Sequence, residues 1–361
     1  MMNNRYFCLS VFVAAISFGV VAQENDPSLQ KLKTQLAELQ MKVQKLENKR
    51  TSTSNTTERA DPKNVKMYAS LRPTFGRLDD GEEYWDVKDA LSNAGVKSTF
   101  EFIPGWTAIL HGEWSVDLSN NGDFGKARQV YVALDSPYGQ VGIGKQRPAQ
   151  YLFIAEYVDI FDHGNSPFAY DPESLFFVNN LLTYQLKLGD VTWVLVSQFN
   201  GKEGNNNSDL FNGGFSYDKD DLHIAMTYAS EDKYDDDVKL GKDEIFAGSL
   251  AYTFANNIYA AASYQAKTYD RSGGDRDGHT FDFSVAYPIG EYYKVKSGVF
   301  SFVDGIKTND SLDYSGFNLT FEWLPADGLR YHVEYLTKNF DHRSDLHSIS
   351  IGFRYDYSRT W

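Results

Sequence analysis

The last sixteen residues of the chain alternate between two kinds of side chain, and this alternation limits what the chain can fold into. The even positions from 348 to 360 are small, polar or charged, while the odd positions read Ile349, Ile351, Phe353, Tyr355, Tyr357, Arg359 and Trp361. Because successive residues of a strand point to opposite faces, one face is apolar and aromatic and the other is polar. Strands in soluble proteins average about 5–6 residues, whereas a strand that crosses a bilayer needs about 9–11. The segment therefore predicts a long, membrane-spanning β-strand.

The same two-residue period recurs from Val65 to the C-terminus and predicts sixteen strands. Short turns rich in Gly, Pro, Asn and Asp alternate with longer polar connections, as is typical of an antiparallel membrane barrel. We therefore predict an all-β fold, a 16-stranded antiparallel transmembrane β-barrel over residues 65–361. Its longer connections are predicted to include 79–93, 200–210, 231–243, 270–278 and 304–312.

The composition favours a barrel over a bundle of membrane-spanning helices. Of the 361 residues 15% are aromatic, yet the mean hydropathy is −0.46 and the formal net charge is −14. Beyond the first segment the sequence has no run of 18 or more apolar residues, so a helical span is not expected. A barrel wall reconciles many aromatic residues with a low hydropathy, because only alternate residues of each strand need to be apolar.

Residues 1–22 predict a signal peptide for export. Arg5 supplies a positive charge, an apolar run extends from Phe7 to Val21, and small residues follow at the predicted cleavage site. The chain's single cysteine, Cys8, lies inside this segment. The exported chain therefore has no thiol, and neither a disulfide framework nor a thiolate metal site is expected.

Residues 23–50 predict a short α-helical coiled coil. Apolar residues recur there with spacings of three and four, which is an a/d heptad seam formed by Leu29, Leu32, Leu36, Leu39, Val43 and Leu46. A helix this short is only marginally stable in isolation. The seam therefore favours a coiled coil between chains that another part of the protein already holds together. The alternative is an amphipathic helix packed on its own domain. Residues 51–64 are polar without apolar periodicity and predict a flexible linker.

One long connection differs from the polar loops. Residues 148–178 follow the fifth predicted strand, and they are too apolar for a solvated loop and too acidic for lipid. Connections of such length without secondary structure of their own are usually functional. We therefore expect this segment, hereafter the third loop, to carry the function of the chain.

The sequence around the third loop resembles the trimeric general porins of Gram-negative bacteria. Residues 127–134 (ARQVYVAL) and 138–146 (YGQVGIGKQ) are similar to the fourth and fifth strands of that family. Residues 166–171 (SPFAYD) are similar to the tip of its third loop, although the usual paired glycines are absent, and Trp361 stands where the family typically ends in Phe. The resemblance covers residues 65–361 and implies a third loop that folds into the barrel and narrows a pore.

The resemblance also implies two facing sets of charges at the constriction of the pore, which order water and select ions. By resemblance, Arg128 and Lys145 match the basic positions. Arg72, opposite the apolar face of the first predicted strand, and Arg147 are expected to join them, and the expected acidic residues are Glu156, Asp159, Asp162 and Asp171. Asn179 and Asn180 stand where the family often has another arginine, so the basic side is expected to be thinner. The alternative is that these charges are ordinary loop and rim residues.

These features predict a water-filled channel for passive diffusion of ions and small hydrophilic solutes in the outer membrane of a Gram-negative cell. The net charge of −14 favours cations. The expected partners are two further copies of the chain in a homotrimer, outer-membrane lipid and lipopolysaccharide, the diffusing solutes, and peptidoglycan reached by the periplasmic coil. Nucleic-acid binding is not expected of so acidic a chain, and no cofactor or metal is implied.

Other functions compete with general diffusion. A channel specific for a sugar or another small solute would use an aromatic surface, and the third loop has aromatic residues that either form one or pin the loop to the wall: Tyr151, Phe153, Tyr157, Phe161 and Phe168. Phosphate selection would need a ladder of basic residues, which an acidic barrel does not favour. The coil is also compatible with a tether between outer membrane and cell wall. An enzyme is not expected, because the histidines form no helical metal-binding pair and no Gly-x-Ser-x-Gly motif is present.

Overall fold

The computed structural model describes residues 64–120, 122–168, 171–200, 208–235 and 238–361. In this part of the chain a single antiparallel sheet contains eighteen strand segments. Their bounds are β1 Asn64–Leu71, β2 Pro73–Asp79, β3 Glu83–Asp89, β4 Asn93–Ile103, β5 Trp106–Val116, β6 Phe124–Ser136, β7 Gly139–Gln146, β8 Val178–Leu188, β9 Val191–Phe199, β10 Ser208–Lys219, β11 Leu222–Asp235, β12 Val238–Thr253, β13 Tyr259–Arg271, β14 Arg276–Ile289, β15 Tyr293–Val303, β16 Tyr314–Ala326, β17 Leu329–Phe340 and β18 Leu346–Thr360. Among the described residues, no helix has the length and apolar character needed to cross a membrane.

The eighteen segments form sixteen barrel strands because the first two strands are each interrupted. β1 and β2 follow one another across Arg72, and both pair with β18. β3 and β4 are separated by 90–92, and they pair with β2 and β1 respectively, so the two interruptions lie side by side in the wall. Since β18 pairs with both β17 and the first strand, the sheet closes on itself. The predicted 16-stranded antiparallel barrel is confirmed.

The wall of the barrel presents apolar residues outward and polar residues inward. In β18 the side chains of Ile349 and Ile351 are 51% and 56% exposed, whereas Ser348 and Ser350 are each 5% exposed. A water-soluble protein would bury the isoleucines, because removing apolar surface from water is favourable. An apolar outer band around a polar interior instead suits lipid outside and water or a polar loop inside.

The prediction of a loop at 79–93 is wrong, because β3 (Glu83–Asp89) occupies most of this segment. Only residues 80–82 connect β2 to β3. Trp85 and Val87 of β3 are 66% and 50% exposed and lie on its outward face. They carry the same alternation as the other strands. The many acidic residues of 79–89 conceal the pattern at the level of composition.

The predicted loops 231–243 and 270–278 are also shorter than expected, since the flanking strands extend into both. In the hairpin of β11 and β12, Lys233 forms an ion pair with Glu231 at 2.7 Å and Lys239 with Asp232 at 2.8 Å. Opposite charges on neighbouring strand positions stabilise a ladder, so a highly charged sequence remains extended there.

Several predictions concern residues outside the described part of the chain. The signal peptide at 1–22 and the coiled coil at 23–50 lie wholly outside it. So does the linker at 51–64 apart from Asn64, which already begins β1.

The third loop folds into the barrel and packs on the wall, and the connection between β7 and β8 is residues 147–177, one residue earlier at each end than predicted. It begins with a short helix that is π-helical over Tyr151–Ala155 and α-helical over Glu156–Val158. Small inward-facing residues of the wall make room for it, among them Ala225, Ala247, Ala251 and Ala261, which are each at most 2% exposed. Alanine at inward positions therefore decides which part of the wall receives the loop.

Candidate functional site

The first part of the third loop is fixed to the wall by a network of neutral hydrogen bonds. The backbone N–H of Gln150 donates to the side-chain oxygen of Asn212 at 2.9 Å. The Gln150 amide group also donates to Gln265 at 2.9 Å and accepts from the hydroxyl of Thr227 at 2.5 Å. All of these side chains are at most 3% exposed, so each hydrogen bond satisfies a polar group that is removed from water.

The short helix is held by aromatic and histidine side chains of the wall. The carbonyl oxygen of Phe153 accepts hydrogen bonds from the Ser249 hydroxyl at 2.6 Å and from His223 Nε2 at 2.9 Å. The Tyr157 ring stacks on His223 with ring centroids 3.4 Å apart. The backbone carbonyl oxygen of Tyr157 accepts a hydrogen bond from the Tyr259 hydroxyl at 2.7 Å. These contacts position the side chain of Glu156, which lies on the same helix.

Asp162 anchors the middle of the loop to three basic residues of the wall. Its carboxylate lies 3.2 Å from Lys296 Nζ, 3.4 Å from Arg354 Nη1 and 3.8 Å from Arg330 Nη1. Its backbone N–H donates to Glu334 at 3.2 Å. Burial raises the pKa of the Asp162 carboxyl, but the positive charges of Lys296, Arg330 and Arg354 outweigh burial and bring it well below its ordinary value. Asp162 is therefore ionised and paired, and it is only 2% exposed.

Asp171 makes a second buried anchor near the end of the loop. Its carboxylate accepts hydrogen bonds from Lys267 Nζ and from the Thr280 hydroxyl, each at 2.8 Å. Burial raises the pKa of the Asp171 carboxyl, but the charge of Lys267 together with these hydrogen bonds gives a net decrease. Glu173 continues the anchor by pairing with Arg276 at 3.4 Å.

His163 lies beside the first anchor and is neutral in this arrangement. Its Nδ1 accepts a hydrogen bond from the backbone N–H of Asn165 at 3.0 Å, and its Nε2 lies 2.9 Å from the hydroxyl of Ser348. Burial, followed by the neighbouring His332 and Lys88, lowers the pKa of His163 to about 4. A proton on Nδ1 would face the N–H of Asn165, so protonation opposes this loop conformation.

The aromatic residues of the loop pack against the wall. Tyr151, Phe153, Phe161 and Phe168 are each at most 6% exposed. Phe168 packs edge-on against Phe300 with ring centroids 5.1 Å apart, over the backbone of Gly298. These side chains hold the loop in place, so the structure favours the pinning role over an aromatic sliding surface for sugars.

Two of the four predicted acidic residues are more accessible inside the barrel than Asp162 and Asp171. The Glu156 side chain is exposed within the barrel, but the enclosing wall removes part of its water and raises the pKa of its carboxyl, while the positive charge of Arg147 acts in the opposite direction. Asp159 is half-buried and lines a cavity of about 580 Å³ together with Arg72. The predicted acidic set therefore divides into lumen carboxylates, Glu156 and Asp159, and anchor carboxylates, Asp162 and Asp171.

Arg72 owes its position to the interruption of the first strand. Its backbone N–H donates to the hydroxyl of Ser92 at 2.7 Å, and its carbonyl oxygen accepts from the N–H of Ala90 at 2.9 Å. Its Nε donates to the Ser70 hydroxyl at 2.8 Å. The residues between β3 and β4 thus complete the backbone hydrogen bonds of Arg72, which lies at the cavity shared with Asp159.

Arg128 and Arg147 both contact the ring of Phe177 but differ in charge balance. Arg128 is buried and forms an ion pair with Glu113 at 2.8 Å, so its charge is largely neutralised. Arg147 lies over the rings of Tyr151 and Phe177 at 3.9 Å and 5.1 Å. Of these two arginines, Arg147 is the one whose positive charge acts on Glu156.

The sheet does not bring Lys145 together with the other predicted basic residues. Lys145 pairs directly with Val130, which is 41% exposed on the outward face beside Val132 and Leu134. Residues that pair directly across two strands share a face, so Lys145 lies on the outer side of the wall. A register shift between Gly144 and Gln146 accompanies this placement.

Sequence reasoning missed the basic residues of the wall that hold the loop. These are Lys267, Lys296, Arg330 and Arg354. Each lies on the polar face of a strand whose other face is apolar, and Arg354 is on the even face of the closing strand. The alternation alone could have placed them inside the barrel, but it contains no information about which of them meet the loop.

A family model described as Gram-negative porin matches residues 37–360 of the chain. No curated protein sequence matches the chain. The match with the family model covers the whole described barrel, including the third loop and its wall contacts.

Solved structures with the same fold have low sequence identity to the chain. The anion-selective porin from Comamonas acidovorans has a TM-score of 0.65 at 13% identity and covers 81% of this chain and 99% of its own. OmpF of Salmonella typhi, in complex with daunomycin, has a TM-score of 0.68 at 14% identity and covers 82% and 98%. OmpT of Vibrio cholerae in its trimer form has a TM-score of 0.64 at 17% identity and covers 81% and 99%. These likenesses show the fold, and the site rests on the residues of this chain.

Proposed function

This chain belongs to the Gram-negative porin family and is an outer-membrane channel for passive diffusion, and we propose that ions and small hydrophilic solutes pass it beside the folded third loop. The observation that carries the proposal is the way in which the loop is held. Asp162 and Asp171 fix it to the wall from two places, while Glu156 and Asp159 remain toward the lumen. Such a loop narrows the lumen at a fixed place and leaves charged side chains where solutes pass.

The proposed channel prefers cations weakly. The anchor carboxylates are matched by wall cations, so they add little net charge to the pore. The lumen carboxylates face Arg72 and Arg147, and the net charge of the chain is −14. Because charges of both signs line the passage, the overall excess of negative charge gives a preference rather than exclusion of anions.

Reversal potentials in planar bilayers under a salt gradient test this selectivity. The wild-type channel is expected to give stable conductance steps and a cation-favouring reversal potential. The double variant Glu156→Gln, Asp159→Asn should move the reversal potential toward anions, because two negative charges leave the passage. Glu291→Gln, which removes one charge from an exposed turn, is the control and should leave the reversal potential unchanged. An anion-favouring wild-type channel would reject the cation preference, and the absence of any conductance would reject the channel.

A sugar-specific channel is the alternative, and the buried aromatic residues of the loop count against it. Only Tyr157 of the five is half-buried, and its ring is stacked on His223. Maltose or a longer oligosaccharide added to the open channel is therefore expected to cause no concentration-dependent block. Concentration-dependent block by an oligosaccharide would favour the specific channel.

We further propose that three copies assemble as a homotrimer surrounded by lipid and lipopolysaccharide, with residues 23–50 as a periplasmic coiled-coil stub. One structural neighbour, OmpT of Vibrio cholerae, is described in a trimer form, and the a/d seam supports association of chains. The mass of the detergent-solubilised protein tests the trimer. Co-sedimentation with peptidoglycan, compared between the full chain and a chain without 23–50, tests whether the stub acts as a tether.

A further inference from the structure

A cavity of about 580 Å³ lies between the third loop and the end of the barrel that carries the connections 80–82 and 341–345. We call it the vestibule. One side is formed by loop residues from Asp159 to Pro167, and the opposite side by β17 and the connection after it. Its volume is within the range of about 300–1,000 Å³ that is usual for small-molecule sites.

Three basic side chains line the vestibule. They are Arg72, Lys338 and Arg343. Among the described residues, no carboxylate oxygen lies within ion-pair distance of any of them, whereas Arg128, Lys267, Lys296, Arg330 and Arg354 of the same wall are all paired. Two carboxylates, Asp80 and Asp159, also line the cavity, so its formal balance remains positive within an acidic protein.

Aromatic rings, rather than carboxylates, support two of these cations. The guanidinium of Arg343 lies 3.6 Å from the ring centroid of Phe340, and Lys338 Nζ lies 4.2 Å from that of Tyr314. An aromatic face attracts a cation but has no formal negative charge, so the net positive charge of the site remains. Phe161 and Leu346 extend the apolar surface beside these charges. The vestibule therefore offers positive charge next to an apolar wall.

We propose that the vestibule is a binding subsite for small organic anions, namely carboxylates that carry an apolar or aromatic body. The proposal rests on the proposed channel, because the vestibule is the approach to the third loop. The carboxylate meets Lys338 and Arg343 from one side and Arg72 from the other, and its apolar body packs against Phe161 and Leu346. Charge-assisted hydrogen bonds provide affinity, and the apolar contact discriminates against simple inorganic anions.

Current recordings with benzoate, benzyl alcohol and acetate test the subsite. Benzoate combines charge and ring, benzyl alcohol has the ring without the charge, and acetate has the charge without the ring. We expect concentration-dependent interruptions of the wild-type current by millimolar benzoate and none by the other two at equal concentration. Equal effects of benzoate and acetate would overturn the proposal in favour of simple electrostatic attraction.

Substitutions locate the effect. Lys338→Met and Arg343→Gln should each weaken the apparent affinity for benzoate about tenfold, since each removes a charge-assisted contact. Lys239→Gln, which removes an exposed charge from the β11–β12 hairpin, is the control and should leave the affinity unchanged. Benzoate block that is the same in all three variants and the wild type would overturn the subsite.

Calorimetric titration of benzoate into the detergent-solubilised protein separates the subsite from the channel. Conductance without benzoate binding would reject the subsite and leave the proposed channel intact. Benzoate binding that Lys338→Met abolishes, in a protein without conductance, would reject the channel and leave the subsite intact.

Discussion

At the scale of single residues, the four predicted loop carboxylates fall into two groups, which are buried and paired or accessible. Asp162 and Asp171 are buried and paired with wall cations, and removing one partner of a buried pair leaves an uncompensated charge. Glu156 and Asp159 are more accessible, and we propose that their charge acts on passing ions. The difference depends on the cations that face each carboxylate from the wall, which are far away in the sequence.

Asp162→Asn is expected to loosen the third loop and to add positive charge to the lumen. Lys296, Arg330 and Arg354 would lose one shared partner, and breaking a buried pair of this kind costs about 3–5 kcal/mol. We expect noisier conductance steps and a reversal potential shifted toward anions. Glu291→Gln changes the charge equally at an exposed turn and serves as the control. Quiet steps with an unshifted potential would show that Asp162 does not hold the loop.

The pKa of His163 predicts a response of the loop to acid. The docked pKa is about 4 and the ordinary value is 6.5, so the docked loop binds fewer protons than a released loop between these values. Docking is therefore intact above about pH 6.5 and weakens as the pH falls toward 4, by about 3 kcal/mol at most. Asp162 and Asp171, whose pKa values are lowered, respond only below 3.8.

Recordings at steps of pH from 7 to 4 measure this effect as an increase in current noise. His163→Gln keeps a neutral donor and acceptor and should show no increase that begins near pH 6.5. If the variant and the wild type respond to acid in the same way, another group is responsible.

At the scale of elements, the interruptions of the first two strands belong together. The breaks at Arg72 and at 90–92 are adjacent in the wall and complete each other's backbone hydrogen bonds. Leu91, between β3 and β4, has a φ of 68° and directs its carbonyl oxygen toward Arg128 Nη1 at 3.4 Å. A non-glycine residue in this region is unfavourable and persists where the surrounding structure over-determines it.

Gly298→Leu is expected to displace the tip of the third loop. A Cβ atom at Gly298 would lie 2.5 Å from Cζ of Phe168, a side chain that is fully buried against Phe300. Overpacking of such a contact typically costs about 1–3 kcal/mol. We expect an altered conductance with an intact barrel, measured by single-channel recording and far-ultraviolet circular dichroism. Gly273→Leu, where a Cβ meets nothing within 4 Å, is the control. Unchanged conductance in Gly298→Leu would contradict the packing role of this glycine.

At the scale of the whole molecule, closure of the barrel depends on pairing the first strand with the last. β1 and β2 together pair with β18 along its length, and Val65 and Trp361 exchange two backbone hydrogen bonds of 3.2 Å and 3.1 Å at the seam. Closure removes the exposed edges that an open sheet would present to lipid.

Deletion of Trp361 is expected to weaken this seam without changing the pore. The two lost backbone hydrogen bonds are worth about 1–3 kcal/mol together. The third loop contacts β18 at Ser348 and Arg354 rather than at its last residue. Urea unfolding in lipid vesicles should show a lower midpoint, while single-channel conductance remains that of the wild type. Trp361→Phe retains the backbone hydrogen bonds and should unfold like the wild type. An unchanged midpoint after deletion would show that the seam ends before Trp361.

The sequence by itself determined the barrel and the position of the functional loop. A two-residue period needs only local geometry to place apolar side chains outward, so the strand number and the faces of β18 could be predicted from residues such as Ile349 and Ser350. The charged segments at 79–93 and 231–243 were the exceptions, because their composition concealed the alternation.

The tertiary structure alone decided which charged side chains form ion pairs. The partners of Asp162 and Asp171 lie about 100 to 190 positions away in the chain, and the register of neighbouring strands brings them together. The shift next to Gly144 likewise accompanies the placement of Lys145 on the outer face, which no local pattern records.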